Sequence, residues 1–228
     1  MRKITDIFFD LDHTLWDFEA NSKVAFESIF KKHALPINIE KFLNYYVPIN
    51  FKFWKLYRDE KISQETLKFG RLKETFEIIK IQVSFDQIKA LSSDYLIELP
   101  KSNTLFEGTH VLLQYLRAKG YNMHIITNGF EKVQIKKLEN SNINEYFDQI
   151  ITSESVGVKK PNPLVFNEAL KMANVTATNA IMIGDNWEAD IMGAKNAGLD
   201  VIYCNFNKQS VGNNIKSVNN LLEIKQFL

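Results

Sequence analysis

An α/β fold, a doubly wound parallel sheet core carrying an inserted α-helical domain, is predicted by three features of the sequence. A short apolar run near the N-terminus ends in two aspartates, Asp10 and Asp12, separated by one residue. From Asp17 to about Leu99 the apolar residues recur with helical spacing, with few glycines and no second strand signal. Beyond Pro100 short apolar strands alternate with amphipathic helices, the pattern of a parallel sheet covered on both faces. The core is accordingly expected over residues 1–15 and 99–228, and the helical part over 16–98.

Each element has its own signal. The first strand, Ile4 to Asp10, carries consecutive rather than alternating apolar residues, as a strand buried on both faces does. In the helical stretch Phe69, Leu72, Phe76 and Ile79 recur at spacings of three and four and form one apolar stripe. The segment SFDQ, 84–87, has the capping-box form and opens the next helix. Past Pro100, residues Val111, Leu112, Tyr115 and Leu116 make an amphipathic face, Gly120 is a helix stop, and MHIITN (123–128) is the following strand. A helix over about 131–139, a strand at 149–152 and a helix opening near Pro161 repeat the unit. AIMIGD (180–185) is another buried strand; a small-residue helix with Gly193, Ala194 and Ala197 stops at Gly198, and the strand VIYC follows.

Composition narrows the function classes. With 228 residues, 45% hydrophobic and 24% charged, the chain has the make-up of an ordinary soluble globular protein. Its 28 Lys and Arg against 27 Asp and Glu leave a formal charge of +1, so no global field draws it to a nucleic-acid polymer or an anionic membrane. Any attraction for an anion must be local. The single Cys204 excludes an internal disulfide and is expected to be a packing thiol. Without a signal-peptide core or a membrane-length apolar run, a cytoplasmic location is expected. Nothing in the sequence sets the oligomeric state.

In open α/β sheets ligands bind beyond the carboxyl ends of the strands, where the strand order reverses. The polar residues at those ends are Asp10 and Asp12, Thr127 and Asn128, Lys160 in the loop before a helix, and Asp185 with Asp190. Strand alternation puts Asp10 and Asp12 on one side, where two carboxylates repel unless a cation or a shared proton intervenes. Magnesium, a hard ion that takes oxygen ligands and leaves room for a substrate phosphate, meets that need. Taken singly, each residue has a plainer reading. An aspartate after a strand starts a turn or caps a helix, Thr127 and Asn128 form turns, and Lys160 is a solvated lysine before a helix start. Together they supply carboxylates, a nucleophile, hydroxyl and amide donors and a fixed cation, which is what phosphoryl transfer requires.

DLDHTL, the threonine ending the strand in IITN, the lysine of VKKPNP, and GDNWEAD resemble, in order, the four motifs of the haloacid dehalogenase (HAD) superfamily. The resemblance spans the chain, including a helical cap inserted after the first motif. It implies that Asp10 is a nucleophile forming an aspartyl phosphate, and that Asp12 protonates the leaving oxygen and then deprotonates the attacking water. It implies a Mg2+ ion held by the carboxylates of Asp10 and Asp185 and the backbone carbonyl of Asp12, with Asp190 in or just behind that shell. Thr127 and the amide of Asn128 would bind phosphoryl oxygens, and Lys160 would neutralise them. His13 stands where many members have glycine and is expected to be structural or a contact at the substrate's edge.

Asp12 argues for a phosphatase over a dehalogenase, because an alkoxide leaving group needs an acid and a halide does not. The absence of transmembrane segments argues against an ion pump, while a phosphomutase with a similar cap stays open. LDHTLWDFEAN, the segment Trp54 to Tyr57 and the Gly70, Arg71 pair resemble bacterial house-cleaning pyrimidine 5'-nucleotidases, which implies a nucleoside monophosphate as the small phosphorylated substrate. Phe51, Phe53, Trp54 and Tyr57 offer faces for a base, although the cluster as a whole is expected to fill the insertion's own core. Arg71 either reaches a base carbonyl or phosphate or makes a surface ion pair. A sugar phosphate or another small phosphate ester is the alternative substrate. Outside enzymes, a phosphate-receiving domain or a silent HAD-like binding module is the competing reading. The helical insertion after the first strand argues against the former, and the presence of both Asp10 and Asp12 against the latter.

Overall fold

The computed structural model describes residues 3–208 and 215–228. In chain order it runs β1 (Asp6–Phe9), α1 (Phe18–Lys32), α2 (Ile39–Arg58), α3 (Gln64–Ile79), α4 (Phe85–Glu98), α5 (Thr109–Ala118) and β2 (Asn122–Thr127). It continues through α6 (Glu131–Asn140), β3 (Gln149–Thr152), the short α7 (Ser153–Val156), α8 (Pro163–Met172) and β4 (Ala180–Gly184). A π-helical turn (Trp187–Met192), α9 (Gly193–Asn196), β5 (Asp200–Cys204), β6 (Lys216–Val218) and a 3-10 segment (Leu221–Gln226) complete it. The chain divides into two compact units, Met1–Phe18 with Asn103–Leu228, and Glu19–Ser102. The division falls a few residues beyond the boundaries expected at 15 and 98. Phe18 stays with the first unit, its ring 6.2 Å from that of Trp16 and 5.0 Å from that of His13.

The first unit is built on six parallel strands in the order β3-β2-β1-β4-β5-β6. All four residues of β1 are buried, as its unbroken apolar run requires of a central strand. From β1 the sheet grows one way through β2 and β3 and the other way through β4 and β5, so the strand order reverses between β1 and β4. Phe9 pairs with Ile125 on one side and Ile183 on the other, so the three strands end at one edge of the sheet. That edge is where Asp10, Thr127 and Asp185 emerge. Beneath it Phe8, Ile126, Ile151, Phe166, Met182 and Ile191 share one core. Each such side chain contributes about 1.5–3 kcal/mol when fully buried. Cys204, at the end of β5, is buried, and burial first, then Asp185, pushes its thiol well up. β6 has no counterpart in the strands expected from the sequence; its three residues are fixed by pairing with β5, Ile202 facing Lys216 and Cys204 facing Val218.

The second unit is helical. Asn38, Ser63 and Ser84 each cap a helix through the side chain, and Ser84 with Gln87 forms the capping box expected there. Its centre is aromatic: Phe26 stacks on Tyr95 at 4.4 Å and meets Tyr46 at 4.6 Å and Phe42 at 4.8 Å. Of the expected stripe on α3, Leu72, Phe76 and Ile79 are buried, and Phe69 is half-buried against Phe85 at 4.7 Å. Among the described residues no helix is long and apolar enough to cross a membrane.

Candidate active site

Asp10 is the residue after β1, and its N–H donates to the carbonyl of Ile183 at 2.9 Å, which continues the strand pairing by one step. The chain then turns tightly: the amides of Thr14, Leu15 and Trp16 all point at the Leu11 carbonyl, and His13 donates to the carbonyl of Trp16. The turn needs His13 at φ +62, the left-handed region, which costs a residue with a side chain about 1–2 kcal/mol and suits glycine. That backbone requirement explains the glycine at the corresponding place in the family the sequence resembles. Burial pushes the His13 imidazole down and Lys137 adds to it, while Asp12 and Asp17 act the other way.

From the other side of the reversal, β4 delivers Asp185 through Gly184. A Cβ at Gly184 would lie 2.4 Å from Oδ2 of Asp190, so only glycine lets Asp190 fold back beneath the strand end. Asp190 Oδ2 accepts from the Asn186 N–H at 2.9 Å, while Asn186 Oδ1 accepts from Ala189 N–H at 2.9 Å. Each locks the start of the π-helical turn. Thr14 Oγ1 donates to Asp185 Oδ1 at 3.4 Å. Among the described residues, Asp10, Asp185 and Asp190 present carboxylate oxygens that all lie within 4.8 Å of one another.

Lys160 is held beneath this cluster by its own backbone. The side chain of Asn128 donates to the Lys160 carbonyl at 3.0 Å and accepts from its N–H at 2.8 Å. The ammonium, 2% exposed, donates to Asp10 Oδ1 at 2.6 Å and to the Ile126 carbonyl at 2.6 Å. Asp190 Oδ1 lies 2.7 Å from the same nitrogen, an ion pair not aligned as a hydrogen bond. Burial pushes Asp10 up to about 7, with Asp190 and Asp12 adding to it and Lys160 opposing. Burial, then Asp10 and Asp190, raises Asp185 well above the carboxylate range. Burial disfavours the Lys160 charge, but Asp10 and Asp190 outweigh it and push the lysine up to about 12. Three carboxylates thus face one ammonium, and the raised Asp10 and Asp185 carboxyls reflect burial of more negative charge than that ammonium offsets. A hard divalent ion fits this oxygen-only donor set.

Asp12 stands apart from that cluster. Its Oδ1 accepts from Lys137 Nζ at 2.6 Å and its Oδ2 from Gln134 Nε2 at 3.1 Å. Gln134 also donates to Thr127 Oγ1 at 2.6 Å, which accepts from Gly129 N–H at 3.0 Å as well. The structure therefore gathers Asp10, Lys160, Asp185 and Asp190 directly, links Asp12 to Thr127 through Gln134, and uses the Asn128 side chain as a clamp on Lys160. Gln134, Lys137 and Thr14 had no place in the reading of the sequence. The signal for the first two was periodic: Gln134, Lys137 and Leu138 occupy the buried face of α6 at helical spacing.

The remaining candidates lie in the helical unit. Arg71 makes no surface ion pair: it is 2% exposed, donates to Asn50 Oδ1 at 2.8 Å, and places its guanidinium 5.2 Å from the ring centre of Tyr95 and 5.9 Å from that of Tyr46. The Asn50 amide and the ring faces receive it inside the helical core, while its Nε has no hydrogen-bond partner among the described residues. Phe53 is buried and Phe51 exposed, while Trp54 and Tyr57 are half-buried and meet edge to face at 5.9 Å.

Comparison with known proteins agrees with this geometry. The chain is 34% identical over 203 residues to the pyrimidine 5'-nucleotidase PynA of Streptococcus pneumoniae, covering 87% of this chain and 83% of that one. It is 31% identical over 226 residues to the pyrimidine 5'-nucleotidase YjjG of Escherichia coli, covering 97% and 96%. A glyceraldehyde 3-phosphate phosphatase of Methanothermobacter thermautotrophicus is 31% identical over 201 residues, covering 87% and 84%. The crystal structure of the HAD-hydrolase YfnB of Bacillus subtilis, bound to magnesium, superposes with a TM-score of 0.89 at 25% identity over 99% of both chains. The sequence profile described as haloacid dehalogenase-like hydrolase matches residues 7–204, a span that takes in every polar strand end described above. With the reversal of a parallel sheet lined by that profile's carboxylates, the chain belongs to the haloacid dehalogenase-like hydrolase family.

Proposed function

We propose that the protein is a magnesium-dependent phosphomonoesterase that works through an aspartyl phosphate and acts on pyrimidine nucleoside 5'-monophosphates. The observation that carries this reading is the different setting of two aspartates one residue apart. Asp10 sits in the carboxylate cluster against Lys160, whereas Asp12 is held separately by Lys137 and Gln134. One is placed to attack, the other to move a proton.

In this reading a carboxylate oxygen of Asp10 forms a bond to phosphorus as the ester P–O bond breaks, and Asp12 gives its proton to the departing alkoxide. Water then attacks the acyl phosphate, Asp12 takes the water's proton, and the Asp10–phosphorus bond breaks to release phosphate. Lys160 and the Thr127 hydroxyl hold phosphoryl oxygens, with the Asn128 amide beside them. The residues that would hold magnesium are Asp10, Asp185 and Asp190 with the Asp12 carbonyl, and the ion supplies charge neutralisation and a clamp on the phosphoryl group.

A nucleotide substrate is supported by the two relatives named as pyrimidine 5'-nucleotidases. Trp54 and Tyr57, both half-buried, are the residues of the helical unit proposed to bear on the choice of base, whereas Arg71 is enclosed in that unit's core. A small sugar phosphate is the second reading, because the archaeal relative at 31% identity is named a glyceraldehyde 3-phosphate phosphatase. The deciding experiment ranks nucleoside monophosphates and sugar phosphates by kcat/KM with magnesium present. Pyrimidine nucleotides are expected to lead, and a triose phosphate at the head would replace this substrate with the second.

A further inference from the structure

We infer that Gln134 and Lys137, one turn apart on α6, are positioning residues that fix the Asp12 carboxylate and commit the Thr127 hydroxyl to donate to phosphate; the inference rests on the phosphoester chemistry proposed above. A carboxylate on a turn swings about its side-chain torsions unless both oxygens are held. Here Lys137 holds Oδ1 and Gln134 holds Oδ2. Lys137 is 2% exposed, and its ammonium lies 4.2 Å from the ring centre of Trp16 and 5.3 Å from that of Phe18. Aromatic faces and a carboxylate together make a slot in which the ammonium has little freedom.

Gln134 spends its amide hydrogens on two functional groups, Asp12 Oδ2 and Thr127 Oγ1. Its orientation is set by charge, since turning the amide over would face its oxygen to a carboxylate oxygen. In the orientation adopted, Oε1 is buried with no hydrogen-bond partner among the described residues, so the donor side of the amide is what the site uses. Gly129 makes room for it: a Cβ there would lie 2.4 Å from Nε2. The consequence for Thr127 follows from its two lone pairs. Both are occupied, by Gln134 and by the Gly129 N–H, and the hydrogen that remains can only be donated. A hydroxyl so committed suits an acceptor such as a phosphoryl oxygen.

The competing account is a strut that merely braces α6 against the β1 turn. A strut supports every substrate equally, whereas an aimed proton donor matters only where the leaving group needs a proton. p-Nitrophenoxide departs without one and an alkoxide does not. The test measures kcat/KM for the best alkyl phosphate of the panel and for p-nitrophenyl phosphate with wild type, Lys137→Met and Gln134→Met. Competitive inhibition by inorganic phosphate is measured alongside. In both variants the loss on the alkyl ester is expected to exceed that on the aryl ester by about tenfold or more. Gln134→Met is also expected to weaken inhibition by phosphate by several-fold, about 3–10 times, because Thr127 is released. Equal losses on the two esters would make the pair a strut and overturn the inference. So would a gain on the alkyl ester, which would mean that Lys137 hinders the acid, or failure of both variants to fold by thermal melting. Wild type that hydrolyses neither ester would instead sink the proposed function.

Discussion

The two units bury charge in opposite ways. In the sheet unit, buried lysines meet carboxylates: Lys160 lies among Asp10 and Asp190, and Lys137 against Asp12. In the helical unit, Arg71 is as deeply buried, yet its contacts are the amide of Asn50 and the faces of Tyr46 and Tyr95. The first arrangement is over-supplied with negative charge and keeps a demand for a cation. The second holds its cation with an amide oxygen and ring faces, with no carboxylate among those contacts. The contrast separates charge kept for chemistry from charge used for architecture, and it gives opposite expectations for equivalent substitutions.

The largest expected effect is on turnover. Asp10→Asn should lower kcat by roughly 10⁴-fold or more while leaving thermal unfolding near wild type or slightly higher, because one repelling carboxylate is removed. Wild-type turnover in that variant would break the assignment of chemistry to the sheet unit. Next, Lys160→Met strands carboxylates without their ammonium. It should cost about 3–5 kcal/mol at neutral pH by denaturant melting, with the deficit shrinking in acid as the carboxylates protonate. A deficit that did not change with pH would show that the lysine acts through packing alone.

A third test uses the proton that Asp10 prefers to keep. Its folded value of about 7 lies above the ordinary 3.8, so the stability it lends is full below about 3.8 and is lost as pH rises through about 7. In the proposed function magnesium and the proton would compete for the same oxygens. Added magnesium should therefore raise the melting temperature more at pH 8 than at pH 5, with about 2.7 kcal/mol expected at a hundredfold excess over Kd. Equal shifts at the two pH values would remove the link between the raised carboxylates and the ion. The smallest effect belongs to the helical unit: Arg71→Met should lower stability by about 1–3 kcal/mol, since it takes from the buried Asn50 Oδ1 the nearer of its two donors, leaving Tyr46 Oη at 3.4 Å. Its kcat/KM for p-nitrophenyl phosphate should follow wild type. A loss confined to nucleotides would sharpen the comparison differently, by giving Arg71 a substrate to hold.

Much of the sheet was legible because central parallel strands are unbroken apolar runs; the strand at 149–152 coincides with β3, and β4 ends one residue before Asp185. β6 was not, since Lys, Ser and Val carry no strand signal until β5 lies beside them. The small-residue helix near Gly193 begins instead as a π-helical turn, because Asn186 and Asp190 bind one another's backbone region across the strand end. The polar strand ends were readable from position alone. Gln134 and Lys137 were not singled out: in EKVQIKKLEN a glutamine and a lysine read as solvent-facing, although they share the helical face of the buried Leu138. Arg71 was singled out, but for the same reason its burial was not foreseen.

The bond between Lys160 and Asp10 joins residues 150 positions apart, and the one between Thr14 and Asp185 spans 171. On a ribosome, Asp10 emerges 175 residues ahead of Asp185 and must wait for it and for Asp190. A polypeptide interrupted before them holds one carboxylate of the cluster and no means of recruiting the other two. A product that stops before Asp185 should therefore lack the chemistry proposed for this site.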